Sequence, residues 1–343
     1  MQQSVTSIQP ILIDALHINM GGALMILNHL VNRLVTRNVN FVLLKDERCP
    51  KLRSERSIPE IVVMSSGERL RRRYYKSHRE SFSAVLCLGN IPPAIKMPVP
   101  VHTYIHNVSL LEIPSAYPLM WKVKNYLKRE YIKSLYKNTN TWIVQTDNTL
   151  ELVKKYLPHK GKQLLQYPFY YIPPQIKEKS SKERGDYVFV GEHTYAKGHE
   201  YLIEAWAKLA QKGFKRRLHL TVTSPDLRDR IKKYQDNGVN IINHGRIAFK
   251  DVLGLYQVSK ATIYPSLNES LGLGIIEAAE AGCDVIGCDL PYIYSVCSPS
   301  ETFRPQSADA IVEAVLKYEM GQSPKTKLTI RDMADELIEF LTK

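Results

Sequence analysis

One rhythm runs through most of this chain: a short apolar run of strand length, then a segment whose apolar residues recur at helical spacing. Ile11–Ala15 is the first such run. Gly21-Gly22 follows it, and then Leu24, Leu27, Leu30, Val31 and Leu34 step along one helix face. Further strands are expected at 41–44, 61–64, 84–88, 101–105 and 142–144, with helices between them, notably over 119–137 and 147–157. The rhythm stops at Pro168, Pro173 and Pro174, and the charged stretch 177–185 reads as an interdomain linker. It then restarts, with strands at 187–190, 218–222, 239–242, 261–264 and 285–288. The helices of this half fall at 200–209, 226–234, 251–258, within 269–281, and at 308–318. Strand–helix alternation implies parallel sheets covered on both faces. A length of 343 residues suits two cores better than one. The expected organisation is two Rossmann-like, doubly wound α/β domains, 1–170 and 171–343, facing a cleft. The last helix, about 328–343, is a candidate to pack back on the first domain. Ligands of such sheets bind at the carboxyl ends of the strands.

Charge narrows the partners. Lys and Arg number 47 against 34 Asp and Glu, a formal net charge of +13. Nucleic acid, an anionic membrane surface and phosphorylated small molecules are the partners such a surplus suits. One basic group is Arg69, Arg71, Arg72, Arg73, Lys76 and Arg79; another is Lys122, Lys124, Lys128, Arg129, Lys133 and Lys137. In the second, Val123, Leu127, Tyr131 and Leu135 recur every four residues and make one helical face. The plain expectation is that this face packs on the N-terminal sheet and the basic face is solvated. The sharper one is peripheral contact with anionic lipid or a lipid-diphosphate acceptor. Base-reading modules are absent, so nucleic acid is set aside. The sequence holds no apolar run of membrane-spanning length and no secretory leader pattern. Five cysteines without paired spacing argue against a disulfide scaffold and for a reducing compartment. The cytoplasm, or the inner face of its membrane, is the expected location.

The richest local signal is Tyr264-Pro265-Ser266-Leu267-Asn268-Glu269-Ser270-Leu271-Gly272-Leu273-Gly274, running into Ile275-Ile276-Glu277-Ala278-Ala279. A strand ends at Tyr264 and a helix begins near Gly272 to Gly274. Free amides at a helix N-terminus attract anions, and glycine lets a ligand approach the backbone. Glu269 lies on the loop and Glu277 about one turn into the helix. Each carboxylate can accept from a pair of neighbouring hydroxyls, which is what a sugar or ribose offers.

This stretch resembles the E-x7-E signature of retaining glycosyltransferases of the GT-B fold, in particular glycosyltransferase family 4. The continuation Ala278-Ala279-Glu280-Ala281-Gly282-Cys283-Asp284-Val285-Ile286 resembles that family's EAMACGxPVI run. Tyr187-Val188-Phe189-Val190-Gly191, then Lys197-Gly198, then Leu202-Ile203-Glu204-Ala205, resembles its FVG…KG…LIxA segment. Gly21-Gly22 stands where the family has a glycine-rich loop near the donor phosphates. The resemblance covers about residues 11 to 290. It implies a metal-independent transferase without a cofactor, moving a sugar from a nucleotide-sugar donor to a glycan or lipid-linked acceptor, as in surface polysaccharide assembly. Glu277 would hold the ribose, Glu269 the transferred sugar, and Lys197 the leaving diphosphate. Ser270, Leu271, Gly272 and Leu273 would line the donor, and His106, after the strand 101–105, would approach its sugar.

Two positions depart from the family. Glu192 stands where an arginine usually follows the glycine, and Thr223-Ser224-Pro225 replaces a glycine-rich turn. A carboxylate beside a diphosphate repels it, so Arg246 becomes a candidate compensating cation. The rival readings are a nucleotide-sugar epimerase of the same fold and a non-catalytic nucleotide- or carbohydrate-binding partner.

Overall fold

The structure, a computed structural model, describes residues 9–115, 117–173, 176 and 184–343. Most of the expected linker, 177–183, lies outside them. The chain divides into two compact units. Unit 1 takes the described residues up to Ile113, then Leu119–Tyr171 and Arg331–Lys343; unit 2 takes Pro114–Pro118 and Ile172–Ile330.

Unit 1 is built on β1 (Ile11–Ala15), β2 (Phe41–Asp46), β3 (Glu60–Met64), β4 (Ala84–Cys87), β5 (Val101–Ile105), β6 (Thr141–Val144) and β7 (Gln163–Gln166). They form one seven-stranded sheet in the order β3-β2-β1-β4-β5-β6-β7, every pair parallel. Its helices are α1 (Gly21–Thr36), α2 (Glu68–Ser77), α3 (Leu119–Ser134) and α4 (Asp147–Tyr156). Ile11 pairs with Phe41 on one side and Ala84 on the other, so β1 is central, and all five of its residues are buried. That is why the strand reads as an unbroken apolar run, Asp14 excepted.

Asp14 explains one member of the first basic cluster, Arg71. Its carboxylate accepts from Arg71 Nε and from Tyr75 Oη, both at 2.7 Å, and Arg71 also donates to the Ile91 and Pro92 carbonyls. Arg71 is therefore a buried structural cation, not part of a surface patch. Burial alone would depress its ionisation, but Asp14 holds it well above the ordinary arginine range. The helix that carries it was invisible to aliphatic periodicity, because its buried face is Arg71, Tyr74 and Tyr75.

The second basic helix departs from expectation more sharply. The buried residues of α3 are Asn125 and Ile132. Val123 and Leu127, which should have packed on the sheet, are 46% and 61% exposed.

Unit 2 carries β8 (Asp186–Phe189), β9 (Leu218–Leu220), β10 (Ile241–Asn243), β11 (Ser259–Tyr264), β12 (Asp284–Cys288), β13 (Cys297–Ser298), β14 (Glu301–Phe303) and β15 (Lys327–Leu328). Six of these make a parallel sheet in the order β10-β9-β8-β11-β12-β14, while β13 and β15 form a separate antiparallel pair. Its helices are α5 (His199–Gln211), α6 (Pro225–Asp236), α7 (Phe249–Val258), α8 (Leu273–Glu280), α9 (Pro291–Tyr294) and α10 (Ala308–Glu319). The last helix, α11 (Ala334–Leu341), belongs to unit 1. Ala334, Leu337, Ile338 and Leu341 share a core with Leu27, Leu30 and Leu34 of α1. Arg33 and Arg37 bind Asp335 and Glu339 across that seam.

In each sheet the strand order reverses at one place, between β1 and β4 in unit 1 and between β8 and β11 in unit 2. Doubly wound sheets bind ligands at such a reversal, beyond the carboxyl ends of the strands. All five cysteines are free and buried.

Candidate active site

In unit 2 the reversal lies between the loop after β8, which carries Gly191, Glu192 and Lys197, and the loop after β11, which carries Glu269 and Gly272. The backbone knits the two loops together. The Leu267 amide donates to the Ala196 carbonyl at 2.7 Å. Gly198, which opens α5 with φ +65°, passes so close to the Pro265 carbonyl that a Cβ would stand 2.5 Å from that oxygen. Glycine is thus required twice over, for its left-handed backbone and for the approach. Unit 1 uses the same device: a Cβ on Gly89 would stand 2.4 Å from the Leu16 carbonyl, across the β1/β4 reversal.

The consequence in unit 2 is a charged pair. Lys197 Nζ donates to Glu269 Oε1 at 2.5 Å, and both side chains keep part of their surface open. Beneath them lies the buried ring of Tyr264, with Nζ 5.7 Å from its centre. Burial, and then the neighbouring Glu269 carboxylate, push the Tyr264 phenol well above its usual range, so it stays a neutral donor toward that carboxylate.

The helix α8 begins at Gly272, whose φ of +63° again demands glycine and which itself has no side chain to cap the first turn. Its amide end therefore keeps its attraction for an anion. Gly274 lets this turn lie against two tyrosines: a Cβ there would meet Tyr264 Cε2 at 3.2 Å and Tyr256 Oη at 3.4 Å. Glu277 sits one turn further, 9% exposed. Burial raises its carboxyl to about 7, against a hydrogen bond from Tyr256 that favours the charged form. Among the described residues no cation is paired with Glu277. A buried carboxyl with this poise is the kind of group a ligand's hydroxyls would complete.

The two departures noted in the sequence turn out to be partners. Glu192 Oε2 accepts from the Thr223 hydroxyl at 2.7 Å and Oε1 from the Thr223 amide at 3.1 Å. Its own neighbour His193 donates a third bond, at 2.9 Å. Partial burial would raise this carboxyl, but these donors hold it below the usual value. Glu192 thus ties the loop after β8 to the one after β9. Arg246 is exposed on the loop after β10, two strands away from β8. No hydrogen bond or ion pair joins Arg246 to Glu192 or Lys197 among the described residues.

His199 supports the same loop from beneath. Its Nε2 faces the Gly191 carbonyl at 3.2 Å and so must carry the proton. Burial drops its basicity to about 3. Ser266 Oγ is fully buried under the β11 loop and finds no partner among the described residues, while the Ser266 carbonyl accepts from Tyr292 at 2.7 Å. Sequence reading gave no role to Tyr256, Tyr264, His199 or Thr223, because single tyrosines, histidines and threonines carry no spacing signal.

Gly21, Gly22 and His106 lie in unit 1. The two glycines open α1 and are exposed, with Gly21 at φ +63°. His106 follows β5, with Nε2 2.9 Å from the Leu88 carbonyl and its amide donating to Asn90 at 2.8 Å. Burial drops the imidazole to about 4, so it is neutral near pH 7. In unit 2, Lys197, Glu269, Ser270, Leu271, Gly272, Leu273 and Glu277 all fall on the two loops and the helix just described, and Arg246 stands apart.

Residues 184–318 match the family described as Glycosyl transferases group 1. No curated protein sequence matches the chain. Among solved structures, the sucrose-phosphate synthase tll1590 from Thermosynechococcus elongatus superposes with TM-score 0.70 at 15% identity, over 91% of this chain and 90% of that one. Anabaena Alr3699/HepE in complex with UDP-glucose gives 0.68 at 12% identity, over 92% and 91%. The lipopolysaccharide outer core galactosyltransferase WaaB gives 0.63 at 13% identity, over 97% and 94%. Fold and motif together define a glycosyltransferase of the GT-B architecture. Its unit 2 is, more particularly, a group 1 glycosyltransferase domain.

Proposed function

We propose that the chain is a retaining glycosyltransferase that takes its sugar from a nucleoside-diphosphate donor without a metal ion and passes it to a glycan or lipid-linked acceptor in surface polysaccharide assembly. The observation that carries this reading is the Lys197–Glu269 pair on the loops leading to the glycine-opened N-terminus of α8, with buried Glu277 one turn in. On this reading the ribose diol completes Glu277, the diphosphate lies over the amide end of α8, and the sugar hydroxyls take Glu269. Lys197 then leaves Glu269 for the phosphate. Its charge faces an oxygen that becomes more negative as the glycosidic bond breaks, so the contact strengthens toward the transition state. A uridine diphosphate sugar is the first donor to try, since the Anabaena neighbour was solved with UDP-glucose. Unit 1 is assigned the acceptor.

Calorimetry against uridine, guanosine and adenosine diphosphates, followed by transfer assays with the matching sugar nucleotides, tests the proposal. One nucleoside diphosphate should bind and lose affinity in Glu277→Ala, and transfer should persist in a chelator. Indifference of every nucleotide to Glu277→Ala would remove the site. Activity lost in chelator and restored by magnesium or manganese would overturn the metal-free mechanism. Turnover of donor without any acceptor would favour an epimerase.

A further inference from the structure

The helix α3 buries the wrong side for a helix of ordinary packing. At 100° per residue its buried positions, Asn125 and Ile132, point together with Arg129 toward one side of the axis. Leu119, Met120, Val123, Tyr126 and Leu127 fall within an arc of about 120° on the opposite side. All five are exposed, Leu119 and Met120 at 77% each. Monomer surfaces seldom gather so much contiguous apolar area without a use for it.

Charge says what covers it. Lys122 lies on one flank of the stripe and Lys124 and Lys128 on the other, with Lys124 Nζ 5.1 Å from the Trp121 ring. The neighbouring α2 adds more. Tyr131 donates to Glu68 at 3.1 Å, linking the two helices, and Arg69, Arg72 and Arg73 of α2 are exposed. The stripe ends at Glu130, whose carboxylate is taken up by Lys133 at 2.8 Å. An apolar stripe flanked by long cationic side chains on both edges matches a surface that is greasy at one depth and anionic just above it. No described helix is long and apolar enough to cross a membrane, so the contact this geometry allows is in the plane.

We propose that α3 is an in-plane docking helix for an anionic lipid bilayer, with the stripe from Leu119 to Leu127 seated at the acyl–headgroup boundary and the flanking lysines and the α2 arginines on lipid phosphates. The proposal stands apart from the donor site, since it concerns another unit and other residues. It also accounts for a good part of the basic surplus that nucleotide binding alone leaves without a purpose.

Co-sedimentation of the full chain with vesicles of phosphatidylcholine, with and without phosphatidylglycerol, tests it. Binding to the anionic vesicles should exceed binding to the neutral ones by at least about tenfold and weaken with salt. Met120→Asp with Leu127→Asp should cut anionic binding by about tenfold or more, and Lys124→Glu with Lys128→Glu should erase the preference for anionic lipid. Both pairs are exposed, so thermal unfolding and nucleotide binding should match the native protein, which separates this test from that of the donor site. Equal binding to both vesicle types, no binding, or binding that survives Met120→Asp with Leu127→Asp would each overturn the proposal. A dimer in light scattering that dissolves in that variant, without vesicle binding, would assign the stripe to a second copy instead.

Discussion

Lys197 and Glu269 neutralise one another in the free protein, and that sets opposite expectations for their removal. Lys197→Ala should lower turnover by at least about tenfold to a hundredfold, roughly 1.4–2.7 kcal/mol of transition-state stabilisation. Lys197→Arg keeps the charge with a different reach and should recover only part. Glu269→Gln should do something else: it frees Lys197, so the nucleoside diphosphate should bind more tightly while sugar transfer falls. Equal loss of both in Glu269→Gln would mean that the pair does not open for the phosphate. Glu277 adds a pH signature. Its folded carboxyl titrates near 7, above the ordinary 4.5. The stability it lends is full below about 4.5 and is lost as pH rises through about 7. Glu277→Gln should therefore melt higher than the native protein at pH 7.5, by the equivalent of about 1–3 kcal/mol, with the gap closing toward pH 4.5. The same variant should bind nucleotide more weakly. A group tuned for a ligand costs the empty protein stability.

At the scale of elements, the site depends on where glycines let loops touch. Gly272→Ala places a side chain at φ +63° with its Cβ 3.0 Å from Ile275 Cδ1. It should cost about 1–2 kcal/mol and tilt the first turn of α8. Thermal unfolding and nucleotide affinity should fall together, and an unchanged affinity would detach α8 from the donor. The Glu192–Thr223 tie predicts a coupled pair. Glu192→Arg alone should weaken donor binding even though it restores the residue usual in the resembling family, because Thr223 loses its acceptor. Glu192→Arg with Thr223→Gly should recover what the single change loses, a non-additivity that a double-mutant cycle reads directly. Most of the elements were legible in the sequence, since buried parallel strands are apolar runs and α1, α5 and α10 have aliphatic stripes. α2 was not, because Arg71 and two tyrosines stand where leucines would. Edge strand β7, Gln-Leu-Leu-Gln, was too short and polar to stand out. Glu269 and Glu277 stood out because the loop–helix motif fixes their spacing, and Lys197 because its Lys-Gly pair resembles the family segment after the first strand of this half. Tyr264 and Tyr256 were not, since their role comes from strands and helices meeting far apart in sequence. The Glu192–Thr223 bond joins residues 31 positions apart, and no local pattern announces it.

For the molecule as a whole, three histidines of depressed basicity, two buried and His106 partly so, set the response to acid. His102 and His106 titrate near 4 and His199 near 3, each lowered chiefly by burial from about 6.5. The unfolded chain takes these protons first, so stability is full above about 6.5 and lost as pH falls toward 4. Glu277 works the other way over much of this window, but one group opposes three. Denaturant midpoints measured from pH 7 down to 4 should fall steadily, at up to about 1.4 kcal/mol per unit for each histidine. A flat profile would mean that the imidazoles are solvated. The order in which the molecule can be assembled follows from α11. Its Asp335 reaches back to Arg33, 302 positions earlier, so the groove along α1 stays open until α11 is available. At ribosomal speeds of about 5–20 residues per second, Leu27, Leu30 and Leu34 wait on the order of 15–60 s for their cover. Unit 2 is complete at Ile330, just ahead of α11 (Ala334–Leu341), so it and the cover of α1 are finished almost together. A chain stopped after Ile330 should keep unit 2 resistant to brief proteolysis while unit 1 is cut and aggregates. During synthesis, then, α1 leaves the ribosome some 302 positions ahead of its partner in α11, and its apolar face stays unsheltered over that interval.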